Sequence, residues 1–277
     1  RRSAIKKQKS EGRETRGRRL VAGAVRGHRR VSRLIAAGVA ALAAVAIALW
    51  LAGLVPGPAG GNSAPRAAIV DQLQLTSPNP QFVAEAVRTL EEHGYQVDYY
   101  PGKAVTVDLY RELPKRGYDL LILRVHSTAQ VSRGDEEVKS VSLFTNQPYS
   151  QSGYYDEQAA GRIGFANYKD GDGEQYFGVT SSFITDSMKG NFHNTTVVMM
   201  GCEGLVNEKA AQAFIEKGAT AFVGWDGLVS AEHTDEATLK LLRHMVAERA
   251  SPEEAIARTM AEVGPDPDFG SQLLAWP

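Results

Sequence analysis

Tyr118–Val125 reads YDLLILRV and Thr196–Met200 reads TVVMM. Neither run alternates apolar with polar residues, so each is expected to be a strand buried on both faces of a sheet. Working outward, the chain supplies the helices that parallel neighbours need as crossovers. Upstream, Ala67–Leu73 is a strand and Pro80–His93 a helix, with Phe82, Val83, Ala86, Val87 and Leu90 at helical spacing and Gly94 as its C-cap. Tyr95–Tyr100 is a second strand closed by Pro101-Gly102, and Val107–Leu113 a short helix. Downstream, Asn207 caps a helix that ends at Gly218, and Ala219–Trp225 is the last clear strand. Two helices follow, Thr234–Arg249 and one opened by the capping box Ser251-Pro252-Glu253-Glu254. Residues 127–194 break the rhythm: Val138–Phe144 is an edge strand, and Tyr176–Val179 is a short strand that feeds a helix over Thr180–Met188 capped by Thr180 or Ser181. This alternation predicts an α/β domain over residues 66–277, its mostly parallel sheet covered on both faces.

The 277 residues are 43% hydrophobic, which excludes a wholly disordered chain, and one cysteine excludes an internal disulfide framework. The net charge of −1 hides a division. Residues 1–33 hold 13 of the 31 Lys/Arg against Glu11 and Glu14, leaving 18 basic and 30 acidic side chains for the rest. Residues 34–55, LIAAGVAALAAVAIALWLAGLV, carry no charge over 22 positions. As a helix they reach about 33 Å, enough for a hydrocarbon core of about 30 Å. A cleaved signal peptide has an apolar region of about 7–15 residues, so this length favours a retained transmembrane anchor. Arg26, Arg29, Arg30 and Arg33 precede the run and only Arg66 closely follows it. The positive-inside rule then places the basic tail, residues 1–33, in the cytoplasm and the C-terminal domain outside, behind a linker at 56–65. Beside a span, the basic tail reads as a lipid-facing and topology-setting segment, and no nucleic-acid partner is expected.

Function in such folds sits at the carboxyl ends of the strands. There His126 follows YDLLILRV, and Cys202 follows TVVMM after Gly201. An imidazole that takes the thiol proton and a thiolate that attacks a carbonyl are the minimum of a cysteine nucleophile. Backbone N–H groups at Ser127, Cys202, Glu203 and Gly204 are candidates to stabilise an oxyanion. Asp226 and Trp225, after the next strand, are candidate specificity-pocket residues; the alternatives are a turn-forming Asp and a buried aromatic. Asp170-Gly-Asp172-Gly-Glu174 resembles half of a calcium loop but lacks the twelve-residue pattern, so no metal or other cofactor is expected. The chain contains no G-x-S-x-G, P-loop, HExxH or G-x-G-x-x-G motif.

LLILRVHS and TVVMMGCEG, in that order, resemble the His and Cys motifs of the caspase-like (clan CD) superfamily of cysteine peptidases, which includes caspases, gingipains, clostripain, separase and CHAT domains. The downstream KGATAFVGW is similar to gingipain-type and CHAT-type sequences. The resemblance covers residues 66–263 and implies a three-layer caspase-like fold, with His126 as general base, Cys202 as nucleophile and a protein or peptide as substrate. Ser127 stands where the family has Gly, and Glu203 after the cysteine is common in CHAT-like sequences and unlike the caspase signature. The His-to-Cys interval of 76 positions exceeds the roughly 50 of caspases. A catalytically inactive binding or signalling module on the same fold is the alternative.

Overall fold

In the computed structural model, which describes residues 64–131, 138–168 and 173–276, ten strands form two sheets. Numbered along the chain, the main sheet holds β1 (Arg66–Asp71), β2 (Gln96–Pro101), β3 (Leu120–Arg124), β8 (Thr195–Met199), β9 (Ala219–Trp225) and β10 (Leu273–Trp276), in the order β10-β9-β8-β3-β1-β2. Every pairing is parallel except that of β10, which runs antiparallel to β9. The second sheet is antiparallel, with the order β4-β5-β7-β6, from β4 (Ser127–Val131), β5 (Val138–Pro148), β6 (Ile163–Asn167) and β7 (Gln175–Val179). The expectation of a largely parallel α/β sheet holds. The second sheet was not foreseen, and β5 lies in its interior and not at an edge. A strand that alternates is half-exposed, and in an antiparallel sheet that is as compatible with the middle as with the rim.

The buried strands serve two cores at once. Ala68 and Val70 of β1, Leu121 and Leu123 of β3, and Val197 and Met199 of β8 pack toward α2 (Val107–Glu112), α4 (Ser181–Asp186), α5 (Lys209–Glu216) and the second sheet. Their alternate neighbours Ala67, Ile69, Leu120, Ile122, Val198 and Met200 pack toward α1 (Pro80–Glu92), α6 (Ala231–Leu242) and α7 (Pro252–Val263). Period-2 pleating places successive residues on opposite faces, so an unbroken apolar run is what two covered faces require. The short helix α3 (Tyr155–Ala159) lies between β5 and β6.

Local chemistry sets the helix starts. Asn79 Oδ1 accepts from the Phe82 N–H at 3.0 Å with Pro80 at the first position of α1, and Ser251 Oγ accepts from the Glu254 N–H at 3.3 Å with Pro252 leading α7. Phe82, Ala86 and Leu90, four apart, form the buried stripe of α1. The helix expected over Thr234–Arg249 begins earlier, at Ala231, and loosens into a π-turn over Arg243–Ala247. Thr234, considered above as the start of that helix, is buried inside it. No described helix is long and apolar enough to cross a membrane; the basic tail, the span expected at residues 34–55 and most of the linker lie outside the described residues.

At the carboxyl edge of β1 and β3 the core holds a charge. Arg124 is fully buried, and Nη1 donates to Asp71 Oδ1 at 2.8 Å while Nε and Nη2 donate to the two oxygens of Asp235 at 2.7 and 2.8 Å. Nη2 also reaches Ser77 O, and the carboxylates are completed by Tyr99 Oη on Asp71 and Asn79 Nδ2 on Asp235. β1, β3, the loop before α1, and α6 thus meet on one guanidinium. Replacing Arg124 by Met leaves two buried carboxylates without their cation, so Arg124→Met is expected to lower the unfolding free energy by about 3–5 kcal/mol. Adding Asp71→Asn and Asp235→Asn to that variant is expected to recover much of the loss; urea denaturation followed by circular dichroism measures both.

Candidate active site

The ladder between β3 and β8 pairs Leu120 with Thr196 and Leu123 with Met199, a constant offset of 76 positions, and Met200 N continues it by donating to Leu123 O at 2.9 Å. His126 and Cys202 stand at the same offset, two residues beyond the end of β3 and three beyond the end of β8. The two strand ends also touch beyond the ladder. Ser127 Oγ donates to Cys202 O at 2.5 Å, and a Cβ at Gly201 would collide with Ser127 Oγ and the Val125 carbonyl oxygen. Only glycine permits this approach. His126 and Cys202 are both half-buried, and Cys202 packs against the core that faces α1, α6 and α7.

His126 is held on three sides. Its N–H donates to Gln72 Oε1 at 2.8 Å, its carbonyl accepts from the Phe144 N–H at 2.9 Å, and its ring Nε2 lies 3.1 Å from Thr76 Oγ1. The rings of Tyr168 and Phe144 pack against the imidazole at 4.9 and 5.9 Å between centroids. Gln72 is itself buried and donates to Asn146 Oδ1 and Tyr168 Oη at 2.8 and 2.5 Å, which ties the loop after β1 to the second sheet. Burial, and then the charge of Arg124 nearby, push the His126 imidazole down to about 4.

Cys202 is bracketed by one backbone unit: its Sγ lies 3.5 Å from both the N–H and the carbonyl of Val229. Burial raises the thiol above its ordinary value, the Val229 N–H works in the opposite direction, and the Glu203 carboxylate adds to the rise. Among the described residues the thiol and the imidazole make no hydrogen bond to each other, and at neutral pH both are uncharged.

The other expected site residues divide. Ser127 is buried at the contact with Cys202, and Gly204 packs against Met199. The Glu203 N–H, considered for the oxyanion, donates to Gly227 O at 2.7 Å, and the Glu203 carboxylate accepts from the Ala129 N–H at 2.6 Å. Trp225 is fully buried, with Nε1 on Thr234 Oγ1 at 2.9 Å, and that hydroxyl donates onward to Met200 O. Its role is to hold β9, α6 and β8 together, because a buried indole N–H needs an acceptor. Asp226 is exposed and extends the pairing of β9 with β10 by one step, Oδ1 accepting from the Gln272 N–H at 2.8 Å and its N–H donating to Gln272 O at 3.1 Å. Gln72, Thr76, Tyr168 and Arg124 carry no motif and were missed; the one trace is that three of them are polar residues abutting apolar runs. Among the described residues no group of three or more His, Cys, Asp or Glu could hold a metal ion, and Asp170 and Asp172 lie outside the described residues.

Two pH effects follow. Because Cys202 is the sole cysteine, carbamidomethylation by iodoacetamide reports it alone. The rate is expected to climb throughout pH 7–10 without the neutral-pH plateau of a preformed thiolate–imidazolium pair, as read by intact mass. His126 acts through stability: its folded value is depressed, so the unfolded chain binds more protons between pH 6.5 and 4. The unfolding free energy should therefore fall across that window, and His126→Asn should flatten the decline. The chain matches no protein-family model and no curated protein, so the functional reading rests on these residues themselves.

Proposed function

We propose that this chain is a membrane-anchored cysteine peptidase of the caspase-like type, in which His126 and Cys202 form the catalytic dyad. The observation that carries the reading is the contact between two strand ends: β3 and β8 are parallel neighbours, His126 and Cys202 follow them at the offset of 76 positions that their ladder keeps, and Ser127 Oγ donates to Cys202 O at 2.5 Å. The resemblance of LLILRVHS and TVVMMGCEG to the family's two motifs falls on these same residues.

The hydrogen bonding suits a base. With Nε2 engaged by Thr76 Oγ1, the tautomer carrying its proton on Nε2 leaves the Nδ1 lone pair without a partner among the described residues. In the reaction, Nδ1 takes the thiol proton as sulfur bonds to the scissile carbonyl carbon. The C–N bond then breaks and the amine leaves with that proton. Water, deprotonated by the same imidazole, attacks the thioester, releasing the acid and restoring the thiol. A neutral pair obliges proton transfer to accompany attack. Nothing in this sequence requires a metal or a redox partner.

A second reading is an inert binding module on the same fold. The observation in its favour is the Val229 peptide group that brackets the sulfur in place of the imidazole. Catalysis separates the two readings. Cys202→Ala is expected to abolish peptide hydrolysis and His126→Ala to lower kcat/KM by about 10²–10⁴, while both variants keep the wild-type circular dichroism spectrum. Full activity in Cys202→Ala overturns the dyad, and absence of peptide hydrolysis in the wild type leaves the module. The anchor is tested apart from the chemistry: protease added to intact cells is expected to digest residues 66–277, and digestion only after lysis reverses the orientation.

A further inference from the structure

The outer edge of β4 faces the segment that carries Cys202, and its backbone groups can be assigned. Among the described residues β4 pairs with β5 alone and is an edge strand of the second sheet. Its antiparallel register sets Ser127 opposite Leu143, Thr128 opposite Ser142 and Ala129 opposite Val141. Since Phe144 N donates to His126 O, His126 and Phe144 are a hydrogen-bonded pair, and pairs alternate along such a ladder. Thr128 therefore turns its N–H and C=O toward β5, while Ser127 and Ala129 turn theirs away, toward the segment that follows Cys202.

That outward edge is occupied by a side chain. Glu203, the residue after Cys202, places Oε2 2.6 Å from the Ala129 N–H. Its backbone has φ of +60°, a left-handed conformation uncommon outside glycine, asparagine and aspartate. Its own N–H is tied back to Gly227 O at 2.7 Å. A carboxylate oxygen on a strand-edge N–H stands where the backbone carbonyl of an added strand would stand. We propose that the β4 edge is the substrate-binding strand, that it takes an extended peptide by backbone pairing at Ala129, and that Glu203 is an intramolecular latch which the peptide must displace.

The proposal rests on the peptidase reading. It predicts a substrate recognised in extended form, with one backbone carbonyl on the Ala129 N–H, a few residues from the bond under attack. The contact is charge-assisted, so the latch resists displacement more than a neutral acceptor would.

The test compares two reagents on the full chain in detergent. Iodoacetamide reaches Cys202 without needing the β4 edge; a set of acetyl-tripeptidyl acyloxymethyl ketones with varied side chains needs it. Glu203→Ala is expected to raise the peptidyl labelling rate about tenfold relative to the iodoacetamide rate, with Glu203→Gln in between. Hydrogen exchange of the peptide containing Ala129 should quicken in Glu203→Ala and slow again once the peptidyl group is attached. A fall in peptidyl labelling in Glu203→Ala would make Glu203 a substrate contact, and an unchanged ratio a strut; either overturns the latch. If iodoacetamide labels the wild type and every variant while no peptidyl reagent does, the peptidase reading itself has failed.

Discussion

The Arg124 guanidinium governs the arrangement of this fold. It is a cation at the carboxyl end of a strand whose other four residues are aliphatic, and it is fully buried. Such a charge is tolerable only with its hydrogen bonds filled, and here they go to Asp71 at the end of β1, to Asp235 in α6 and to the loop before α1. That one requirement sets the loop after β1 beside the β3 terminus, where Gln72 and Thr76 meet His126. It also seats α6, so that Thr234, one residue before Asp235, reaches both Trp225 and the Met200 carbonyl. The same positive charge helps to keep the imidazole neutral. Packing geometry and site electrostatics therefore share a source.

The parallel sheet was legible because its strands are apolar on both faces. Runs such as YDLLILRV and TVVMM have no other stable placement in a folded chain, and the helices between them carry caps at Asn79 and Ser251 that behave as their residue types dictate. In the second sheet only Val138–Phe144 and Tyr176–Val179 were legible, as parts of β5 and β7, and the pairing with β4 and β6 was not, for the complementary reason. Its strands include Gly164, Gly178, Ser140, Ser142 and Asn167, which carry weak strand preference, and tertiary contacts decide their conformation. β10 escaped notice because its four residues follow a proline-rich turn and are held by pairing with β9.

The site was legible in part. His126 and Cys202 could be read because strand termini are where side chains leave a parallel sheet. Their neighbours could not, since Gln72, Thr76 and Tyr168 approach from the loop after β1 and from the second sheet, and only the folded chain brings them together. Trp225 and Asp226 were candidates for a pocket by proximity to a strand end, with a buried aromatic and a turn-forming Asp as the alternatives. The indole is buried with its N–H on Thr234, and the aspartate bonds the Gln272 backbone that leads into β10.

Between Val125 and Thr195 the chain leaves the main sheet, builds four further strands, and comes back one strand over. The ladder that aligns β3 with β8 is blind to how far the chain has travelled in the interval. Length alone is cheap, since doubling a flexible connection costs only about 0.6 kcal/mol of closure entropy. What returns the chain to its place is packing: Val141, Leu143, Ile163, Phe177 and Val179 share a core with β1, β3 and β8. The opening strand is pinned twice more, because Ser127 and Ala129 are bonded to the residues that follow β8 on the far side of the gap.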